Sequence, residues 1–151
     1  MIVCIDHVGV VARSYDEAAD LLLGTFGLTL DGERNPDPGV IYMAQENADI
    51  YFLRAGSGET RIELLLPRDA SAGMGRWLQK RGPSVHHLAF MVDDVQEHAA
   101  ELREKGLRQI DLGPDAAAAF FYPRDTMGIL TELVDVRTMQ RLHESAAPPL
   151  R

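Results

Sequence analysis

Four residues stand apart in this 151-residue chain by type, order and neighbourhood: His7, Glu63, His87 and Glu132. Each lies in a short apolar run: Ile5-Asp6-His7-Val8-Gly9, Ile62-Glu63-Leu64, Val85-His86-His87-Leu88-Ala89 and Thr131-Glu132-Leu133. Imidazole nitrogens and carboxylate oxygens together suit a divalent ion of middling hardness. In each half the His precedes the Glu, by 56 residues in the first and 45 in the second. Spacings this long make no local metal motif. A single strand Glu is ordinarily a half-exposed charge, and a single strand His a satisfied core residue. The recurrence of the same order at equivalent places is what makes the four a candidate metal set.

The elements that must position these residues read as two copies of one unit. Superimposing His7 on His87, an offset of 80, matches Val8-Gly9-Val10 to Leu88-Ala89-Phe90, Ala19 to Ala99 and Leu22 to Leu102. Each copy opens with a strand, turns through Ser or Asp, and enters an amphipathic helix that ends near Gly. The helices are expected over Tyr15–Leu23 and Val95–Lys105. Strands are expected at Leu28–Glu33, once within Val40–Ala55, and at Thr60–Leu66 in the first half. In the second half they fall at Leu107–Leu112, Ala117–Tyr122 and Ile129–Val134. Gly and Pro mark the joints at Asn35-Pro36-Asp37-Pro38-Gly39, Gly56-Ser57-Gly58 and Gly113-Pro114-Asp115.

The fold class is therefore α+β, with two βαβββ modules over 1–68 and 84–135. A linker over 69–83 carries a short helix at Gly73–Arg81, and a tail over 136–151 is expected to form one more helix before fraying at Ala146–Pro149. One helix covers only one face of a four-stranded sheet, so the modules are expected to pair and cover the other. Strand alternation puts each Glu opposite its apolar neighbours, and each His on the side of the small residue two positions on, Gly9 or Ala89. One His and one Glu per module then meet at a shared inner surface.

Composition narrows the function classes. Fifteen Lys and Arg against 23 Asp and Glu give a formal net charge of -8, which disfavours nucleic acid. No apolar run reaches the ~18 residues of a membrane span, and the N-terminus starts as a strand without a basic leader. A cytoplasmic protein is expected. The single Cys4 has no intrachain partner and is expected to be a buried, inert thiol.

Read in order, Ile5-Asp6-His7-Val8-Gly9-Val10, IELLLP at 62–67, RWLQKRGPSVHHLAFMVDDV at 76–95 and YPRDTMGILTELVD at 122–135 carry a more specific likeness. The chain resembles the vicinal oxygen chelate superfamily (glyoxalase, bleomycin resistance and dioxygenase proteins), and within it the methylmalonyl-CoA epimerases, over nearly its whole length. The resemblance implies a glyoxalase-like fold around a central metal cavity, with metal ligands His7, Glu63, His87 and Glu132. His86, the first of the doublet, falls outside the ligand position. It further implies one divalent ion (Co²⁺, Ni²⁺, Mn²⁺ or Zn²⁺), a homodimer, and an acyl-CoA or similar thioester substrate. The reaction implied is removal of a proton beside a carbonyl, with the ion acting as a Lewis acid on an enediolate, and Glu132 as the proton-transfer group.

Two departures bear on the substrate and leave the ligands untouched. The position where those epimerases carry a second acid/base Glu is held by Tyr42, with Glu46 and Asp49 as nearby carboxylates. Their Gly-rich loop is replaced by Gly113-Pro114-Asp115-Ala116-Ala117-Ala118-Ala119, and Tyr122 stands where a His often precedes the Pro. The alternatives are a glyoxalase I-like lyase on the same ligands, or a non-catalytic binding or resistance protein, a class that typically lacks the quartet.

Overall fold

The structure, a computed structural model, describes residues 1–36 and 39–144. The expected tail segment Ala146–Pro149, and Asp37-Pro38 of the first joint, lie outside the described residues. In chain order the elements are β1 (Ile2–Val11), α1 (Tyr15–Ala19), β2 (Thr29–Leu30), β3 (Ile41–Met43), β4 (Ala48–Arg54), β5 (Arg61–Pro67) and α2 (Gly73–Arg81). Then follow β6 (Ser84–Val92), α3 (Val95–Glu104), β7 (Gln109–Ile110), β8 (Ala119–Phe121), β9 (Thr131–Val134) and α4 (Val136–Glu144). Among the described residues no helix is long and apolar enough to cross a membrane.

The internal repeat extends to the helix caps. Ser14 accepts from the Glu17 backbone N–H at 3.2 Å, and Asp94, at the matching position, accepts from that of Glu97 at 3.0 Å. Beyond Ala19 the first helix widens into a π turn over Asp20–Thr25, in which the Phe26 N–H reaches back to the Leu21 carbonyl. The period-3.6 pattern of Tyr15–Leu23 gives no sign of this wider turn.

All the strands belong to one sheet, in the order β2-β4-β5-β1-β6-β9-β8-β7, with β3 pairing β4. Each half contributes the same order outward from its first strand, β1-β5-β4-β2 and β6-β9-β8-β7, with a parallel first pair. The halves join edge to edge, β1 against β6, antiparallel. Pairing therefore extends the sheet instead of covering the bare faces, and α2 covers that of the first half. On one face α1 packs on Leu64, Leu66 and Tyr51, and α3 packs on Ala119, Phe121 and Leu133. On the opposite face, α2 lays Met74, Trp77 and Leu78 over Val11, Ile41, Ile50, Phe52 and Leu65.

Several strands are shorter than their apolar patterns, because the flanking residues leave the ladder for turns. β2 stops at Leu30, where buried Asp31 accepts from the backbone of Glu33 and Arg34 and from the Arg61 guanidinium. The stretch Val40–Ala55 holds two strands, since Asn47 takes a left-handed backbone (φ 46°) and folds β3 back on β4. Cys4 is half-buried rather than buried, and burial together with Asp6 and Glu59 raises its pKa, which keeps the thiol protonated.

Candidate metal centre

The β1–β6 junction builds the site. Two rows of paired residues cross the sheet there. One runs Glu63–Gly9–His87 over β5, β1 and β6; the other runs His7–Ala89–Glu132 over β1, β6 and β9. Each row has a small residue in the middle and a ligand-type residue at either end. The reason is visible at Gly9, where an added Cβ would lie 2.2 Å from Cε1 and 2.4 Å from Nδ1 of His87. The small residue thus makes room for the imidazole of the other module rather than for His7, two residues before it.

All four side chains are buried, and their donor atoms converge. The Nε2 atoms of His7 and His87 are 3.0 Å apart. Glu63 Oε2 lies 3.3 and 3.2 Å from them, and Glu132 Oε2 lies 3.1 Å from both. The donor atoms of His7, Glu63 and His87 all fall within 4.8 Å of one another. Donors at roughly 2.0–2.2 Å from one ion stand about 2.8–3.6 Å from their neighbours, the short end at right angles and the long end at tetrahedral angles. The five separations lie in that interval. Two imidazole nitrogens this close, flanked by two carboxylates, suit a shared proton or a cation, and His7, Glu63 and His87 fit one divalent ion, with Glu132 beside both imidazoles.

Protonation follows the same geometry. Burial alone would lower the pKa of His7, but the Glu63 charge and hydrogen bonds to Asp6, Glu132 and Glu63 carry it well above the usual imidazole value. Burial likewise works against His87, and its carboxylate partners Glu132 and Glu63 lift it to about 9. Burial pushes the Glu63 and Glu132 carboxyls up, yet the two imidazoles outweigh it and hold both below the usual carboxylate range.

Behind each imidazole sits a residue placed by a β-bulge. Between Ile5 and His7 the register slips, leaving Asp6 as the extra residue of β1; between His87 and Val85 it slips again, leaving His86 as the extra residue of β6. A bulge re-aims a side chain that ordinary alternation would send to the other face. Asp6 Oδ2 accepts from His7 Nδ1 at 2.7 Å, and both carboxylate oxygens accept from Arg34, at 2.7 and 2.8 Å. Burial would raise the Asp6 pKa, yet the His7 and Arg34 hydrogen bonds bring it down to about 2. His86 Nδ1 lies 3.0 Å from His87 Nδ1, and burial plus the His87 charge bring its pKa down to about 4.

Two phenylalanines complete the surroundings. Phe52, paired with Glu63, meets His7 edge-on at 5.8 Å between centroids; Phe120, paired with Glu132, meets His87 at 5.7 Å. Sequence reasoning missed Asp6, Arg34, Phe52 and Phe120. The two phenylalanines carry a usable signal, because each lies in the strand one hairpin before its Glu. Asp6 and Arg34 carry none, since a bulge and a loop place them.

The residues expected to supply a second acid/base group lie elsewhere. Ile41 packs with Ile50 and Phe52 on the metal side, so Tyr42, its strand neighbour, turns to the opposite face. There its hydroxyl donates to Asn47 Oδ1 at 2.9 Å and Arg68 covers its ring. Asp49 shares that face and pairs with Arg68 at 2.8 Å. Glu46 accepts from the Met74 backbone N–H at 2.8 Å, at the start of α2. In the second half, Gln109–Gly113 and Ala116 line an open cavity of about 260 Å³, and Tyr122 is exposed beneath the Arg124 guanidinium.

Comparison with known proteins agrees with this architecture. Residues 6–122 match the family described as the glyoxalase/bleomycin resistance protein/dioxygenase superfamily. An uncharacterized protein of Bacillus subtilis is 27% identical over 87% of this chain and 91% of its own length. The ethylmalonyl-CoA/methylmalonyl-CoA epimerase of Cereibacter sphaeroides is 27% identical over 90% of this chain and 100% of its own. Among solved structures, a Streptomyces coelicolor methylmalonyl-CoA epimerase variant in complex with 2-nitronate-propionyl-CoA aligns with a TM-score of 0.76 and 28% identity, over 89% of this chain and 98% of the other.

Proposed function

Because the chain belongs to the glyoxalase/bleomycin resistance protein/dioxygenase superfamily, we propose that it is a divalent-metal isomerase that inverts the carbon next to a thioester carbonyl in a 2-substituted malonyl-CoA or similar acyl-CoA. The observation that carries this reading is the buried group of His7, Glu63 and His87, whose donor atoms lie within 4.8 Å of one another, with Glu132 3.1 Å from both imidazoles. Similarity to an ethylmalonyl-CoA/methylmalonyl-CoA epimerase over the whole of that protein's length supports the substrate class.

His7 and His87 would hold the ion through Nε2, and Glu63 and Glu132 through Oε2. A divalent ion bound there supplies Lewis-acid polarisation of a carbonyl oxygen. The rest is proton traffic among the chain's own groups. Inversion needs one group to take the proton from C2 and another to return one from the opposite side. Glu132, ionised, takes the C2 proton as the C–H electron pair moves into the thioester carbonyl. With Tyr42, Glu46 and Asp49 engaged away from the centre, Glu63 is the remaining carboxyl of the cluster: ionised at rest, it would take up a proton from solvent, deliver it to the other face of C2 and return to the ionised form, while Glu132 would release the C2 proton to solvent. The roles exchange for the opposite epimer. Phe52 and Phe120 keep the carboxyls in a poorly hydrated setting.

The test is deuterium incorporation at C2 of each methylmalonyl-CoA epimer in D2O by the metal-loaded protein. The parent should label both epimers. Glu63→Gln and Glu132→Gln, which retain an oxygen donor, should each lose labelling that begins from one epimer. Absence of label with the loaded parent removes the substrate assignment.

A further inference from the structure

The His86-His87 doublet leaves one histidine without a role in the donor set. We infer that His86 is a positioning residue that fixes His87 as a ligand by accepting the Nδ1 proton, and that it ties the linker helix α2 to the metal centre. The inference rests on the metal-centre reading above.

The geometry leaves His87 one arrangement. Its Nε2 faces the other three donors, at 3.0–3.2 Å, so Nδ1 faces outward and carries the proton whenever Nε2 is occupied. The atom waiting for that proton is His86 Nδ1, at 3.0 Å. An acceptor needs a lone pair, which makes His86 the tautomer protonated at Nε2 alone. The ring of His86 is set by Trp77 of α2, edge-on at 4.8 Å between centroids. Trp77 is itself fixed, because its indole N–H donates to Ser84 Oγ at 3.0 Å and the Arg81 guanidinium lies 4.0 Å from its ring centre. On its other sides His87 has the bare backbone of Gly9 and the edge of Phe120. Only His86 offers it a polar contact outside the donor set among the hydrogen bonds described.

The two halves therefore use opposite chemistry at equivalent bulge positions. His7 is backed by a carboxylate that Arg34 clamps, and His87 by a neutral ring that a helix clamps. A partner at the far nitrogen of a ligand histidine fixes its orientation and strengthens it as a donor, and losing it weakens metal binding about 10–100-fold.

The experiment titrates the metal-stripped full chain with Zn²⁺ by calorimetry, for the parent, His86→Phe and His86→Asn. His86→Phe, which keeps a ring against Trp77 but has no acceptor, should weaken the Kd about tenfold. His86→Asn, whose carbonyl can accept, should recover most of that loss. The metal-free Tm should fall in His86→Phe, which leaves the buried His87 Nδ1–H without its acceptor, and fall less in His86→Asn. His86→Phe binding Zn²⁺ as tightly as the parent overturns the inference, whereas a parent that binds no metal overturns the metal centre itself. Should a variant not fold, 15N spectra of the Zn²⁺-loaded parent decide the matter. They should show His86 unprotonated at Nδ1, and a proton there contradicts the inference.

Discussion

Gly9 carries more of the site than its size suggests, because the imidazole of His87 occupies the space where a side chain would begin. Its counterpart Ala89 holds a methyl group in the matching row, so the repeat is not symmetric at its centre. Gly9→Ala should leave a protein that folds, because the three atoms nearest the added methyl all belong to the His87 ring and turning that ring out of the cluster relieves them. Zn²⁺ affinity should fall by roughly a hundredfold, as for a misoriented ligand. Calorimetry against the parent measures it, and an unchanged Kd contradicts the packing described. At this scale the residue types of the donor set are legible in the amino-acid sequence alone. The backing groups are not, because Asp6 and His86 reach their histidines only through the slipped register between β1 and β6.

Among the elements, the loop after β2 shows how polar groups replace a strand. Asn35 is buried, donates to the carbonyls of Asp31 and Phe52 at 2.7 Å each, and accepts from the Phe52 N–H at 2.8 Å. It thereby holds the loop that presents Arg34 to Asp6. Asn35→Ala leaves the Phe52 N–H buried without that acceptor and should cost about 1–3 kcal/mol of stability. Urea unfolding of the metal-free chain reads this directly, and a midpoint equal to the parent's contradicts the account. Element positions are otherwise well marked in the sequence. The helix at Gly73–Arg81 matches its expected limits, because Gly82 stops it with a positive φ of 72°. The β3–β4 hairpin escapes a sequence reading because its turn uses Asn47, whose left-handed backbone leaves no Gly or Pro to mark it. The π turn after Ala19 has no compositional signal either.

For the whole molecule, the centre links folding, pH and metal. Without metal, His7 and His87 have raised pKa values, so the folded chain binds more protons than the unfolded one above the ordinary imidazole value of 6.5. Their stabilisation is complete below pH 6.5 and is lost as pH rises through the folded values, about 9 for His87. Glu63 and Glu132 have lowered values, so their contribution is complete above their ordinary 4.5 and is lost as the solution is acidified through the folded ones. The centre of the metal-free protein should therefore stabilise most between pH 4.5 and 6.5. A divalent ion replaces the imidazole protons, so loading at about pH 7 should release protons and shift the pH of highest Tm upward. Thermal melts with chelator and with Zn²⁺, from about pH 4 to 9, test both statements. A metal-free Tm that climbs between pH 6.5 and about 9 contradicts them.

The repeat offset, the α+β pattern, the helix caps and the ligand types are all present in the chain as written, because each is a local property of residue type and spacing. Alternation also puts each His and Glu on a defined side of its own strand. Strand pairing decides the rest. A register sums many contacts between residues far apart in the chain, and no single segment records it. The structure joins β1 to β6 edge to edge, slips their register, and sets each Glu one small residue away from the histidine of the other half. His7, Glu63, His87 and Glu132 are recognisable as a set from order alone. That their side chains are buried side by side, with Asp6 behind one imidazole and His86 behind the other, follows from the pairing.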